Sequence, residues 1–225
     1  MKALSLVRNA LAVSGLFAVA SGCYADSIAI ASSGSETTNN SGSPTLSIVP
    51  DNVWATPFAG SSWVSYVNSG LPSSPTFVSP VNGTSVLFTD TFDITGTPTG
   101  GMVSVLADDT ASVTLNGVLL MNFAPVVVNG KNLCASAAIG CLTSTAGSVN
   151  LGSALHSGVN TLTFDVIQVG GVAYGLDYSG TSNYSSSVVS AVPEPSTFVL
   201  ISLPLLALLF GRKAYDVVCA QRHQS

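Results

Sequence analysis

The chain is poor in positive charge along most of its length. Of its six basic residues, Lys2, Arg8, Arg212, Lys213 and Arg222 lie near the two ends, so Lys131 is the only base between residues 26 and 192. The same stretch carries nine acids: Asp26, Glu36, Asp51, Asp90, Asp93, Asp108, Asp109, Asp165 and Asp177. Binding to nucleic acid or anionic lipid needs clustered Lys and Arg, so this composition argues against both. Histidine and cysteine are equally scarce. His156 is the only histidine in the stretch, Cys134 and Cys141 are its only cysteines, and no CxxC occurs, which argues against zinc. A G-x-S-x-G pentapeptide, a phosphate-binding glycine loop and a pair of carboxyls in a distinctive context are also missing. These absences point away from an enzyme. Outside the termini no segment keeps a 3.6-residue apolar period, so long helices are not expected there.

The middle of the chain is rich in Ser, Thr, Gly, Asn and Val, in the pattern of short strands and turns. Val86, Phe88, Phe92 and Ile94 alternate with polar neighbours, as do Val103, Val105 and Ala107, then Val113 and Leu115, then Leu162, Phe164 and Val166. Asn116-Gly117, between S-V-T-L and V-L-L-M, predicts a two-residue hairpin turn. Seven to nine strands are expected, and with them an all-β fold, an antiparallel jelly-roll-type β-sandwich. Cys134 and Cys141 are expected to form a local disulfide in an oxidising compartment.

The two ends carry different signals. Lys2 and Arg8 precede an apolar run from Ala10 to Ala20, and Cys23-Tyr24-Ala25 offers small residues for cleavage after Ala25, the pattern of a signal peptide. Ala20-Ser21-Gly22-Cys23 also resembles a lipoprotein box, which would place a lipid on Cys23. At the other end Val192, Pro193, Glu194, Pro195 and Ser196 lead into the apolar run F-V-L-I-S-L-P-L-L-A-L-L-F, which is followed by Gly211 and the basic stop Arg212-Lys213. The prolines keep the segment around Glu194 extended. A helix over residues 197–211 would be about 22 Å long, a short span against a hydrocarbon core of about 30 Å. This order resembles the PEP-CTERM sorting signal handled by exosortase-type enzymes. The resemblance implies export, transient or lasting anchorage in the inner membrane, and a final place at the cell surface or in the extracellular matrix. Family tails end soon after the basic residues, whereas here Ala214 to Ser225 continue, so a plain membrane anchor stays open as the alternative.

The order of several motifs adds a second resemblance. W-A-T-P-F-A-G-S-S-W-V-S, F-T-D-T-F-D-I, A-D-D-T-A-S-V-T-L-N-G-V, S-G-V-N-T-L-T-F-D-V and Y-G-L-D-Y together resemble the galactose-binding-like jelly-roll modules found ahead of such tails. The expected organisation is a signal helix over 1–25, a flexible or edge-strand segment over 26–45, the sandwich over 46–180 and a Ser-rich linker over 181–192. The sorting signal with its transmembrane helix then occupies 193–213, and a cytoplasmic tail 214–225. Trp54, Tyr174 and Tyr178 are candidates for stacking on sugar rings, although core packing is the competing reading for the tryptophans, Trp63 included. Asp90, Asp93, Asp108 and Asp109 are candidate oxygen ligands for Ca²⁺. The plainer alternative has Asp108 capping a turn and Asp109 in solvent. Asn160 is expected to hold a turn, His156 to be a turn residue, and Glu36 to lie in a loop. No cofactor other than that possible calcium is expected. The function that follows is a non-catalytic envelope or matrix protein associated with exopolysaccharide, with a dedicated carbohydrate-binding module as the alternative.

Overall fold

The computed structural model describes residues 23–39, 44–69, 80–123, 127–128, 131–132, 134, 137–169 and 173–187. The sorting motif from Val192 to Ser196, the apolar run, Arg212 and Lys213 lie outside the described residues, as does most of the signal segment. Among the described residues no helix is long and apolar enough to cross a membrane.

The strands are, in chain order, β1 (Cys23–Ala31), β2 (Thr37–Thr38), β3 (Leu46–Ser47), β4 (Val64–Ser65), β5 (Ser85–Ile94), β6 (Thr97–Asp108) and β7 (Thr110–Leu115). They continue with β8 (Val118–Met121), β9 (Val127–Val128), β10 (Lys131–Asn132), β11 (Gly147–Asn150), β12 (Gly158–Ile167) and β13 (Gly175–Ser187). Their number exceeds the expected seven to nine because β2, β3, β4, β9 and β10 have only two residues each, too few to leave an alternating pattern in the sequence.

Two sheets form the body. One runs β11-β6-β13-β4-β3, with β1 also paired to β13; the other runs β2-β5-β12-β7-β8. Along both of these strand orders, neighbours pair antiparallel. The chain passes from β5 in the five-stranded sheet to β6 in the six-stranded one and returns to β7 through the single residue Asp109. Between the sheets lie the alternating residues named above. Val86, Phe88, Ile94, Val103, Val105, Val113, Leu115, Leu162, Phe164 and Val166 are all buried in one core with Tyr174, Leu176 and Tyr178. Phe164 from one sheet stacks on Tyr178 from the other at 4.4 Å between ring centres. Each large apolar side chain moved out of water here contributes about 1.5–3 kcal/mol.

The Asn116-Gly117 hairpin forms as expected. Both residues have positive φ, 53° and 79°, which a type I′ turn requires and which these two residue types tolerate. Asn116 adds tertiary bonds, donating from Nδ2 to the Ala154 carbonyl at 2.8 Å and accepting from the Thr161 N–H at 2.8 Å.

The segment expected over 26–45 as flexible or edge strand contains the paired strands β1 and β2, and Cys23–Ser186 form one compact unit. One boundary differs from expectation. The Ser-rich stretch expected as linker from residue 181 continues as β13 to Ser187, with Thr181 opposite Met102 and Ser185 opposite Thr97. Its side chains give no apolar signal because the ladder with β6 is held by backbone bonds.

Candidate functional site

The six-stranded sheet is covered on both faces. Its inner face meets the other sheet, and its outer face carries a second apolar layer of Ile48, Trp54, Trp63, Leu106 and Cys141. This layer is built from the loop after β3 and from the segment containing the Cys134–Cys141 disulfide, whose Cα atoms are 5.2 Å apart. The two meet where Ala55 N–H donates to the Cys141 carbonyl at 2.7 Å. Trp54 and Trp63 pack with ring centres 4.3 Å apart. Trp54 also packs against the start of β13, where a Cβ on Gly175 would approach two of its ring carbons to 3.1 Å.

The double covering explains the acids. Asp108 points into this outer layer and accepts from the Trp54 indole N–H at 2.7 Å. Burial, the charge of Asp109 and a hydrogen bond shared with it push Asp108 up to about 8, against the smaller lowering effect of Trp54. Asp109 is only 3 % exposed, and its Oδ2 accepts the Val169 N–H. The solvated Asp109 expected from the sequence is therefore corrected: the chain crosses between sheets at this residue and the crossing is covered. Asp177, fully buried, accepts from Ser61 Oγ at 2.6 Å, Ser32 Oγ at 3.0 Å and Phe58 N–H at 3.0 Å. Burial raises its pKa and these donors oppose the rise.

A second acid cluster lies in the inner core. Tyr178 Oη is 2.9 Å from Asp90 Oδ2 and 3.1 Å from Glu36 Oε1. Glu36 also accepts the Ser33 N–H at 2.7 Å, the Gly34 N–H at 3.0 Å and the Thr45 hydroxyl. It does lie in a loop, as expected, but at 1 % exposure it is the loop's internal anchor. Asp90 shares the inward phase of Val86, Phe88, Phe92 and Ile94 on β5. Burial raises its pKa first, the Tyr178 bond lowers it, and the neighbouring Glu36 charge raises it again. Tyr178 Oη is the donor to both carboxyls, which share its one proton.

These placements correct two expectations. Tyr174 and Tyr178 are fully buried and Trp54 is 8 % exposed, so none presents a ring face to a sugar; all three are core side chains with their polar tips bonded inside. The four aspartates do not gather into one calcium site. Asp90 and Asp93 sit opposite Leu162 and Val159 on β12, whereas Asp109 lies beyond the pair Ile167 and Thr110 at that strand's other end. At about 3.4 Å per residue this separates Asp90 from Asp109 by well over 10 Å along the sheet. Among the described residues no group of three or more His, Cys, Asp or Glu could hold a metal ion.

The turn residues behave as expected. Asn160 is buried and donates from Nδ2 to the carbonyls of His156 and Gly158 at 2.7 and 2.9 Å. His156 is exposed, with Nδ1 2.9 Å from the Ser157 carbonyl. The inward placement of half-buried Asp90 was legible in the sequence from its phase between Phe88 and Phe92. Glu36 and Asp177 were not, since nothing local marks the loop or the outer layer that buries them. An open cleft of about 340 Å³, lined by Asn39, Pro80, Val81, Thr84, Ser85 and Val86, contains no titratable group in its lining.

No family model matches the chain, and no curated protein matches it. Among solved structures it is similar to Streptomyces avermitilis α-L-rhamnosidase complexed with L-rhamnose, at 16% identity and a TM-score of 0.39, over 71% of this chain and 15% of that one. The chain thus spans a small fraction of the rhamnosidase's length. It is also similar to CBM35 from Paenibacillus barcinonensis, at 14% identity and a TM-score of 0.34, over 72% of this chain and 99% of that one. Likeness at these scores assigns neither a family nor a ligand.

Proposed function

We propose that this chain is a non-catalytic exported protein of the cell envelope or extracellular matrix, whose sandwich associates with exopolysaccharide and whose C-terminal tail is a substrate of an exosortase-type enzyme. One observation carries the reading for the sandwich. Glu36, Asp90, Asp108, Asp109 and Asp177, the acids best placed for chemistry, hydrogen-bond inside the fold and tie its loops to its sheets. A general acid or base must reach the proton it transfers, and Glu36, Asp108, Asp109 and Asp177, buried in this way, do not reach a substrate. What remains outside is a hydroxyl-rich surface of low positive charge, suited to a neutral hydrated polymer. The tail supports the destination through its V-P-E-P-S motif, apolar run and basic stop. Ala214 to Ser225, which continue past that stop, favour a second reading as a retained, simply anchored surface protein.

The association is tested by fractionating the native envelope before and after enzymatic removal of its polysaccharide. The proposal expects the protein to leave with the polysaccharide. Fractionation that is the same with and without the glycan contradicts it.

A further inference from the structure

The register of the five-stranded sheet brings six threonines from four strands onto one outer face. Thr37 on β2 is opposite Thr89 on β5, Thr89 is opposite Thr163 on β12, and Thr163 is opposite Thr114 on β7, making one row across four adjacent strands. Thr91 and Thr161, also opposite each other, begin a second row two residues along. The sequence separates these residues by up to 126 positions, and only the pairing assembles them. Strands about 4.8 Å apart and a two-residue step of about 6.7 Å set the mesh of the array.

Three observations distinguish this face. All six threonines are exposed or half-buried, and no described residue makes a side-chain hydrogen bond to any of their hydroxyls. Each hydroxyl can therefore donate one bond and accept two, beside a methyl group that packs on C–H surfaces. The only charges among the neighbouring outward positions of β5 and β12 are Asp93 and Asp165, both negative, while Leu87, Leu119 and Val159 form an exposed apolar rim. Cross-strand threonine pairs also stabilise a sheet, and that role is compatible with binding.

We infer that this threonine face is where a neutral, hydroxyl-rich polysaccharide lies along the domain. The inference rests on the exopolysaccharide reading above and adds the surface and the class of glycan. Charge decides the class. The stretch from residue 26 to 192 holds nine acids and one lysine, so a uronate-bearing or sulfated chain meets repulsion and has only Lys131 to pair with. A neutral chain meets none, and its alternating hydroxyls and C–H faces match the array's hydroxyls and methyls. Contacts of this kind are individually weak, so binding is carried by repetition along the polymer.

The test uses the full-length chain in detergent, in depletion assays against dextran, curdlan and cellulose as neutral probes and alginate and hyaluronate as anionic ones. The double variant Thr89→Val, Thr163→Val removes two central hydroxyls and keeps side-chain shape and strand propensity. Thr97→Val, Thr99→Val, at exposed positions of β6 in the other sheet, is the control, and melting curves check that both variants fold. The expected result is saturable binding to at least one neutral probe, weakened at least five-fold by the β5/β12 variant and unchanged by the control. Neutral binding that the variant leaves unchanged overturns the surface while the exopolysaccharide reading stands. Binding to the anionic probes alone overturns the glycan class. Binding to none of the five overturns this inference and the association together.

Discussion

Tyr178 and Asp90 meet inside the sandwich, with Tyr178 Oη 2.9 Å from Asp90 Oδ2, and the same hydroxyl reaches Glu36 at 3.1 Å. This contact joins the six-stranded sheet, through β13, to the five-stranded sheet, through β5, and to the loop between β1 and β2. It shows how this fold uses its acids. A carboxyl that sequence reasoning offers to calcium instead accepts a core hydroxyl and helps tie the two sheets together.

Removing the shared hydroxyl leaves two carboxyls facing each other without their donor. Tyr178→Phe is therefore expected to destabilise the domain by about 1–3 kcal/mol in denaturant unfolding. Asp90→Asn, which keeps an oxygen to accept from the Tyr178 hydroxyl, is expected to cost less than about 1 kcal/mol. Equal losses in the two variants would show that this hydrogen bond is not what stabilises the contact.

Stability should fall as pH rises. Asp108, Asp90 and Asp177 all have raised folded-state pKa values, so the folded protein binds more protons than the unfolded chain. The contribution of each is complete below the ordinary carboxylate value and is lost as pH climbs through its folded value, which for Asp108 is about 8. The melting temperature is expected to be at least about 5 °C lower at pH 9 than at pH 5. Asp108→Asn, which keeps an acceptor for Trp54, should flatten most of that slope. A flat wild-type profile would contradict the buried, proton-holding state of Asp108.

Gly175 lets Trp54 lie against the sheet. Gly175→Ala places a Cβ 3.1 Å from two indole carbons and 3.2 Å from Ile48 Cδ1, so a loss of about 1–3 kcal/mol is expected, with a shift in tryptophan emission. Unchanged emission and stability would mean that the outer layer does not press on β13 as described.

The Cys134–Cys141 bond closes a short loop within that layer. Cys134→Ser with Cys141→Ser is expected to lower stability by about 2 kcal/mol, as the closure of a small loop predicts. A change below about 0.5 kcal/mol would indicate that the Trp54–Trp63 layer holds the segment unaided.

The sequence made the inner core legible because period-two alternation survives wherever one face is apolar and the other wet. Val86 to Ile94 and Leu162 to Val166 are such runs, and Asn116-Gly117 fixes the hairpin between two others. It did not make the outer layer legible. There Leu106 and Asp177 occupy outward positions that a single-layer reading leaves in solvent, yet both are buried. The aromatic candidates for glycan contact were misplaced for the same reason: Trp54, Tyr174 and Tyr178 have polar tips that find partners inside the fold, so polarity did not keep them at the surface. The threonine rows were hidden because strand register, which sequence alone leaves open, decides which distant residues become neighbours.

The central claim, that the chain is delivered to the envelope or matrix by its tail, is tested most directly by intact-mass spectrometry of the protein isolated from its native envelope. The account predicts a mature form beginning at Asp26 and ending near Pro193 to Pro195. A form that retains the apolar run and ends at Ser225 would contradict exosortase processing and establish a simple anchor.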